Sequence, residues 1–228
     1  METLTEYRAR TGYMWDSLPH SGGIVTNPKL AQKADAAGCL MPFYGDTVIF
    51  DLPEEMKSWL SAVQDALYAA CGGMLAEPLS RESLHITLHD LQSSAGGWPS
   101  GLPGNQKRCE TLLAELRDTL PPEICIRSAC VFSMVNTSIV MGFEPAGEED
   151  QHRLMTLYDR FQRICPLGYP LTLHATLAYY RPGVYGEEQL MALRRTLDGL
   201  ARERREWRLR MDDLHYATFD SMARYVMV

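Results

Sequence analysis

The stretch "SLHITLHDL", Ser83–Leu91, decides how this chain is read. It sets His85 and Thr87 two residues apart in a frame of Leu84, Ile86 and Leu88. The chain repeats the arrangement at "TLHATLAYY", Thr172–Tyr180, with His174 and Thr176 framed by Leu173 and Leu177. In an extended strand, successive side chains point to opposite faces. Leu84, Ile86 and Leu88 therefore share one face, and Ser83, His85, Thr87 and His89 share the other. In the second stretch, Leu173, Ala175, Leu177 and Tyr179 face one way. Thr172, His174, Thr176 and Tyr180 face the other way. The same groups in the same order point to an internal duplication. If the two lobes meet face to face, both His-Thr pairs converge in one cleft.

The rest of the chain supplies the elements around these strands. "TVIFDLP", Thr47–Pro53, is β-branched and aromatic and reads as a strand. Residues 54–71 place Met56, Leu60, Val63, Leu67 and Ala70 at helical spacing, and Gly72-Gly73 stops the helix. A loop follows over 92–104 and a helix over 105–119. Two strands, "EICIRSACVFSMV" and "TSIVMGFEP", join at Asn136-Thr137. Helices are expected over 148–164 and 186–200, and a final hairpin turns near Asp220-Ser221. Several strand pairs are joined by short turns, which favours an α+β fold with mainly antiparallel sheets over a doubly wound parallel sheet. Only the first ~40 residues, with "SLPHSGGIVTNPK", have a composition that leaves room for disorder. The expected division is an N-terminal extension over 1–42, a candidate lid or added edge, and a bilobal domain over 43–228.

The formal net charge of −7 disfavours binding along a long polyanion, whereas a small or terminal phosphate needs only local donors. The basic stretch "LRRTLDGLARERREWRLR", 193–210, is interrupted by Glu203 and Glu206 at helical spacing and reads as a solvated helix face. The six cysteines form no CxxC and no zinc spacing, so reduced thiols and a cytoplasmic location are expected. The start lacks the apolar core of a signal peptide, and no run nears the ~18 apolar residues of a membrane span.

Two imidazoles and two hydroxyls, without a carboxylate pair or metal cluster, suit phosphodiester cleavage. A neutral imidazole takes a proton from the attacking oxygen, and an imidazolium protonates the departing one. Threonine hydroxyls donate to the non-bridging oxygens as charge develops on them. His85 and His89 would stand about 13 Å apart on one strand, too far to ligate one ion, and neither metal nor cofactor is expected.

With "HITL" at His85–Leu88 and "HATL" at His174–Leu177, the chain resembles the 2H phosphoesterase superfamily, which includes cyclic phosphodiesterases and 2′-5′ RNA ligase-like proteins. "YGDTVIFDL", Tyr44–Leu52, and the "AYY" after the second motif add to the resemblance, which covers about residues 43–228. It implies a duplicated bilobal α+β fold, with two mainly antiparallel sheets forming a central cleft and helices packed outside. It also implies His85 and His174 as the acid/base pair, with Thr87 and Thr176 as phosphate ligands. The expected activity is metal-independent opening of a 2′,3′-cyclic phosphate on a nucleotide or short RNA end. The alternatives are action on RNA 3′ ends, 2′–5′ linkages or cyclic oligonucleotides, and a nucleotide-binding module with little turnover. Tyr180 and His89 share the catalytic face by parity and become candidate substrate contacts, as does Tyr44 beside the Gly45 turn. Trp98 is read as packing on its own lobe, and Arg127 as facing solvent.

Overall fold

The two histidine stretches form the adjacent edges of two four-stranded antiparallel sheets. The computed structural model describes residues 1–200 and 204–228. In chain order the elements are α1 (Leu4–Trp15), β1 (Ile24–Val25), β2 (Tyr44–Asp51), α2 (Glu54–Cys71), β3 (His85–Ser94) and α3 (Leu102–Thr119). There follow β4 (Glu123–Met134), β5 (Ser138–Pro145), α4 (Glu148–Gln162), β6 (His174–Tyr179), β7 (Val184–Tyr185) and α5 (Glu187–Leu200). The chain ends in β8 (Glu206–Arg210), β9 (Leu214–Ser221) and β10 (Arg224–Met227).

One sheet has the order β10-β9-β2-β3 and the other β6-β5-β4-β8, while β1 and β7 form a separate pair. Each lobe contains a strand–helix–strand unit: β2-α2-β3 in one, β5-α4-β6 in the other. In both, the second strand carries the histidine and returns antiparallel to the first. This is the duplication expected from the repeated motif, in an α+β fold. The helices lie outside the sheets, with α3 on β2 and β9, and α4 on β3, β4 and β5. α2 packs on α5 and reaches β6 of the other lobe, so the lobes share one core.

Local chemistry explains most element boundaries. α2 begins after Pro53 with Glu54 and Glu55 in its first turn, where carboxylates meet the positive end of the helix dipole. Its Met56, Leu60 and Leu67 are buried, as the spacing predicts. β4 and β5 are joined by a tight turn in which Val135 and Asn136 both have positive φ.

Two elements differ from the sequence reading. The stretch 193–210 is not one helix. α5 ends at Leu200, Glu203 lies outside the described residues, and Glu206–Arg210 is an edge strand on β4. Trp207 and Leu209 are buried while Arg208 and Arg210 point outward, so a period of two prevails over the helical spacing of the charges. Arg208 pairs with Glu123 across the strands at 2.7 Å.

The first 40 residues form α1, β1 and a short 3₁₀ turn over Pro28–Gln32. Thr3 and Glu6 close a capping box at the start of α1. Tyr7, fully buried, donates its hydroxyl to the Phe143 carbonyl and accepts from the Leu173 amide, both at 3.0 Å. The segment is thereby hydrogen-bonded to the residue that precedes His174.

Gly45 shows how tightly β2 is held between β3 and β9. A Cβ there would lie 2.3 Å from the Gln92 carbonyl oxygen and 2.4 Å from the Phe219 ring. Gly45→Ala is expected to lower the unfolding free energy by about 1–3 kcal/mol or more. Gly96→Ala, whose nearest neighbour atom would be 3.6 Å away, should change it by less than about 0.5 kcal/mol. Urea denaturation of the two variants compares them directly, and equal midpoints would contradict the packing argument.

Candidate active site

The apolar frame behaves as strand parity requires. Leu84, Ile86 and Leu88 are buried, as are Leu173, Ala175 and Leu177. His85, Thr87, His174 and Thr176 are half-buried on the opposite face. Between the lobes lies a cavity of about 1140 Å³, lined by Thr87, His174 and Thr176 among others. His85 does not itself line the cavity; its ring packs against Tyr225 of β10 at a centroid distance of 4.2 Å, and Tyr225 lines it.

The two histidines are held in the same way. His85 Nδ1 lies 2.7 Å from the Ser83 carbonyl oxygen, and His174 Nδ1 lies 2.8 Å from that of Thr172. A carbonyl only accepts, so each Nδ1 carries the proton and donates it. In the neutral ring this leaves the lone pair on Nε2. Both rings are hydrogen-bonded to the protein through Nδ1.

Burial disfavours the charged form of both rings. Desolvation pulls the His85 pKa down to about 4, against the opposing pull of the Ser83 carbonyl, and His174 adds a further lowering. The His174 pKa is also lowered, mainly by burial; the Thr172 carbonyl and Asp90 oppose this, while Lys33 reinforces it. His85 therefore senses the charge of His174 across the lobe junction. Protonating both together is disfavoured, and an anion between them would relieve the cost.

A β-bulge follows each His-x-Thr pair at the same place. Thr87 and His89 oppose the consecutive residues Ile49 and Val48. Thr176 and Ala178 oppose the consecutive Val140 and Ile139. Each bulge inserts one residue and inverts the alternation beyond it. The carbonyls beside the bulges are satisfied from neighbouring elements. Thr47 Oγ1 donates to the His89 carbonyl at 3.1 Å, and Gln64 of α2 donates to that of Leu177 at 2.8 Å.

These bulges account for two departures from the parity reading. Tyr180, expected on the catalytic face, is fully buried with its hydroxyl on Ser133 Oγ at 2.9 Å. Tyr179 lines the cavity in its place. His89 is likewise turned into the packing side. It is 1 % exposed, and its ring meets Tyr158 and Phe161 of α4 at 5.1 and 6.2 Å. It touches the cavity wall as a buried ring, and its neighbour Asp90 takes the outward position. Tyr44 does not line the cavity; its ring packs on Trp98 at 5.1 Å, so each aromatic occupies the other. Arg127 pairs with Glu206 at 2.7 Å on the outer edge.

The cavity also contains side chains that motif reading misses. Asp90 receives the Tyr169 hydroxyl at 2.8 Å and faces both histidines electrostatically. Arg10 of α1 donates to Thr172 Oγ1 at 3.0 Å and to the Leu171 carbonyl at 2.7 Å, bracing the approach to His174. Lys33 enters from the N-terminal segment. None of the three lies in a repeated pattern, and only Asp90 is close in sequence to a motif. Among the described residues, no group of three or more His, Cys, Asp or Glu side chains is arranged to hold a metal ion. No helix among them is long and apolar enough to cross a membrane.

No protein-family model matches the chain, and no curated protein sequence matches it. Solved structures do match. A conserved protein of unknown function from Agrobacterium tumefaciens, ATU0111, superposes with a TM-score of 0.62 at 17 % identity, covering 95 % of this chain and 96 % of that one. TT0787 of Thermus thermophilus gives a TM-score of 0.51 at 15 % identity, over 80 % and 94 % of the two chains. Escherichia coli LigT, crystallised with 3′-AMP, gives 0.50 at 12 % identity, over 82 % and 95 %. The chain thus shares its two-sheet α+β fold with these proteins.

The lowered His85 pKa has a consequence for stability. Between pH 6.5 and about 4, the unfolded chain binds a proton that folded His85 refuses, so stability falls as pH falls through this window. Above pH 6.5 neither state is protonated there and the contribution is constant. Urea midpoints of the wild type should therefore drop between about pH 7 and about pH 5 more than those of His85→Gln. Parallel pH profiles would show that His85 titrates as it does in water.

Proposed function

We propose that this chain, built on the 2H phosphoesterase fold, cleaves a phosphodiester by paired histidine acid/base catalysis, with His85 and His174 as the acid/base groups. The observation that carries the reading is the matched pinning of the two rings. Each donates Nδ1–H to the carbonyl two residues upstream, which leaves Nε2 to exchange protons with substrate. Thr87 and Thr176 stand beside them on the same face and supply hydroxyls for the non-bridging oxygens.

The substrate favoured by this reading is a 2′,3′-cyclic phosphate on a nucleotide or short RNA end. One neutral Nε2 accepts the proton of the attacking water. The water oxygen bonds to phosphorus as the ring P–O bond breaks opposite it. The other histidine, protonated, delivers its proton to the departing ribose oxygen, and the product is a phosphomonoester. The anionic phosphate and Asp90 both favour the single imidazolium this step requires. The similar LigT structure holds 3′-AMP, which supports a nucleotide as the ligand class.

The cavity volume favours a second form of the same chemistry. At about 1140 Å³ it exceeds the usual 300–1,000 Å³ of small-molecule sites. It has room for more than one nucleotide, which supports an RNA 3′ end, a 2′–5′ linkage or a cyclic oligonucleotide. Residues 1–42 contribute Arg10, Met14, Asn27, Lys29, Gln32 and Lys33 to its wall. We take this segment as part of the substrate site.

Turnover of 2′,3′-cyclic nucleotides in EDTA tests the reading. His85→Ala and His174→Ala should each lower kcat/KM by about 10²-fold or more if each removes an acid or base. No turnover by a folded wild type would exclude these substrates and move the reading to the oligonucleotides or to a binding module. Wild-type turnover with either variant fully active would remove the paired mechanism.

A further inference from the structure

We infer that Lys33 is a phosphate-binding residue of this cavity, receiving the non-bridging oxygens of the ligand on the His174 side. The inference rests on the phosphodiester reading above and adds a cation that neither His-x-Thr motif contains.

Lys33 follows the 3₁₀ turn, and its backbone is held on both sides. Its amide donates to the Leu30 carbonyl, and its carbonyl accepts from the Met41 amide, both at 2.8 Å. The side chain extends into the cavity that Thr87, His174 and Thr176 also line. Its ammonium stands 5.1 Å from the centre of the Phe43 ring and 5.6 Å from that of Tyr179. Tyr179 lies on β6, three residues beyond Thr176, on the stretch that the bulge turns toward the cavity.

The charge balance at this ammonium is incomplete. Among the described residues, no ion pair joins Lys33 to a carboxylate, whereas Lys57 is paired with Asp51 at 2.6 Å. Asp90 acts on Lys33 only at longer range. Burial lowers the Lys33 pKa, which measures the cost of keeping that charge out of water. Two aromatic faces recover part of this cost, since cation–π contacts are worth less than a direct ion pair with a desolvated anion. A phosphate held by the two threonines would complete the balance. It would also relieve the repulsion that Lys33 exerts on a protonated His174. The chemistry favours a phosphate or phosphodiester anion over a neutral ligand.

Binding of inorganic phosphate, read by isothermal titration, separates this proposal from the catalytic one. Lys33→Met should weaken phosphate binding by about tenfold or more, the loss expected for one charge-assisted hydrogen bond. Lys33→Arg should restore a substantial part of it, and neither variant should shift the melting temperature much. A purely structural role would instead shift the melting temperature and leave the affinity of the folded fraction unchanged. In wild-type protein carrying ¹³C-labelled lysine, the Lys33 ε-carbon resonance should titrate with phosphate. This readout decides the matter even if Lys33→Met fails to fold. An unmoved Lys33 resonance, or Lys33→Met binding phosphate as tightly as wild type, would overturn the proposal. Phosphate binding through Lys33 without turnover of cyclic nucleotides would uphold it while removing the cyclic-phosphate reading.

Discussion

The site depends on one hydrogen bond made twice: imidazole Nδ1–H to the backbone carbonyl two residues upstream. The carbonyl oxygens of Ser83 and Thr172 each hold a ring at hydrogen-bond distance. This contact selects the tautomer, fixes the ring plane and leaves Nε2 for a ligand. It also links the chemistry to the backbone, because any change in the path of residues 83–85 or 172–174 would reorient a ring. Much of the surrounding structure can be understood as holding those two short segments still.

Different means hold them in the two lobes. At the second motif, the N-terminal helix does most of the bracing. Tyr7 bonds the Leu173 amide and the Phe143 carbonyl, and Arg10 reaches Thr172 and Leu171. At the first motif, Ser83 closes a short 3₁₀ turn through its hydroxyl on the Ser80 carbonyl, 2.7 Å away. The duplicated strands are thus alike in what they present and unlike in what supports them. Buried hydrogen bonds of this kind contribute modestly when made and cost more when one partner is lost.

The bulges after Thr87 and Thr176 let an edge strand serve two purposes. Before each bulge, alternation sets His and Thr on one face and Leu in the core. Beyond it, the inverted alternation brings Asp90 and Tyr179 to the cavity and sends His89 and Tyr180 into the packing. An aromatic wall and an acid are thereby set beside the histidine row without lengthening the strands.

By itself, the sequence determined the repeated His-x-Thr strands, their apolar frames, the strand–helix–strand order and the α+β class. These rest on local periodicity, which each segment expresses in its own residues. It did not determine that Glu206–Arg210 would pair on β4, because charge spacing there suits a helix and only an available sheet edge makes a strand. Nor did it determine the fates of Tyr180 and His89, since a one-residue bulge arises from pairing with β5 and β2 and leaves no mark in the period. Tyr44 was likewise taken by Trp98, a contact between segments far apart in the chain. The arrival of Lys33, Arg10 and Tyr225 at one cavity was decided by the tertiary structure alone. Cavity walls are assembled from distant segments, and no spacing within any one of them encodes the meeting.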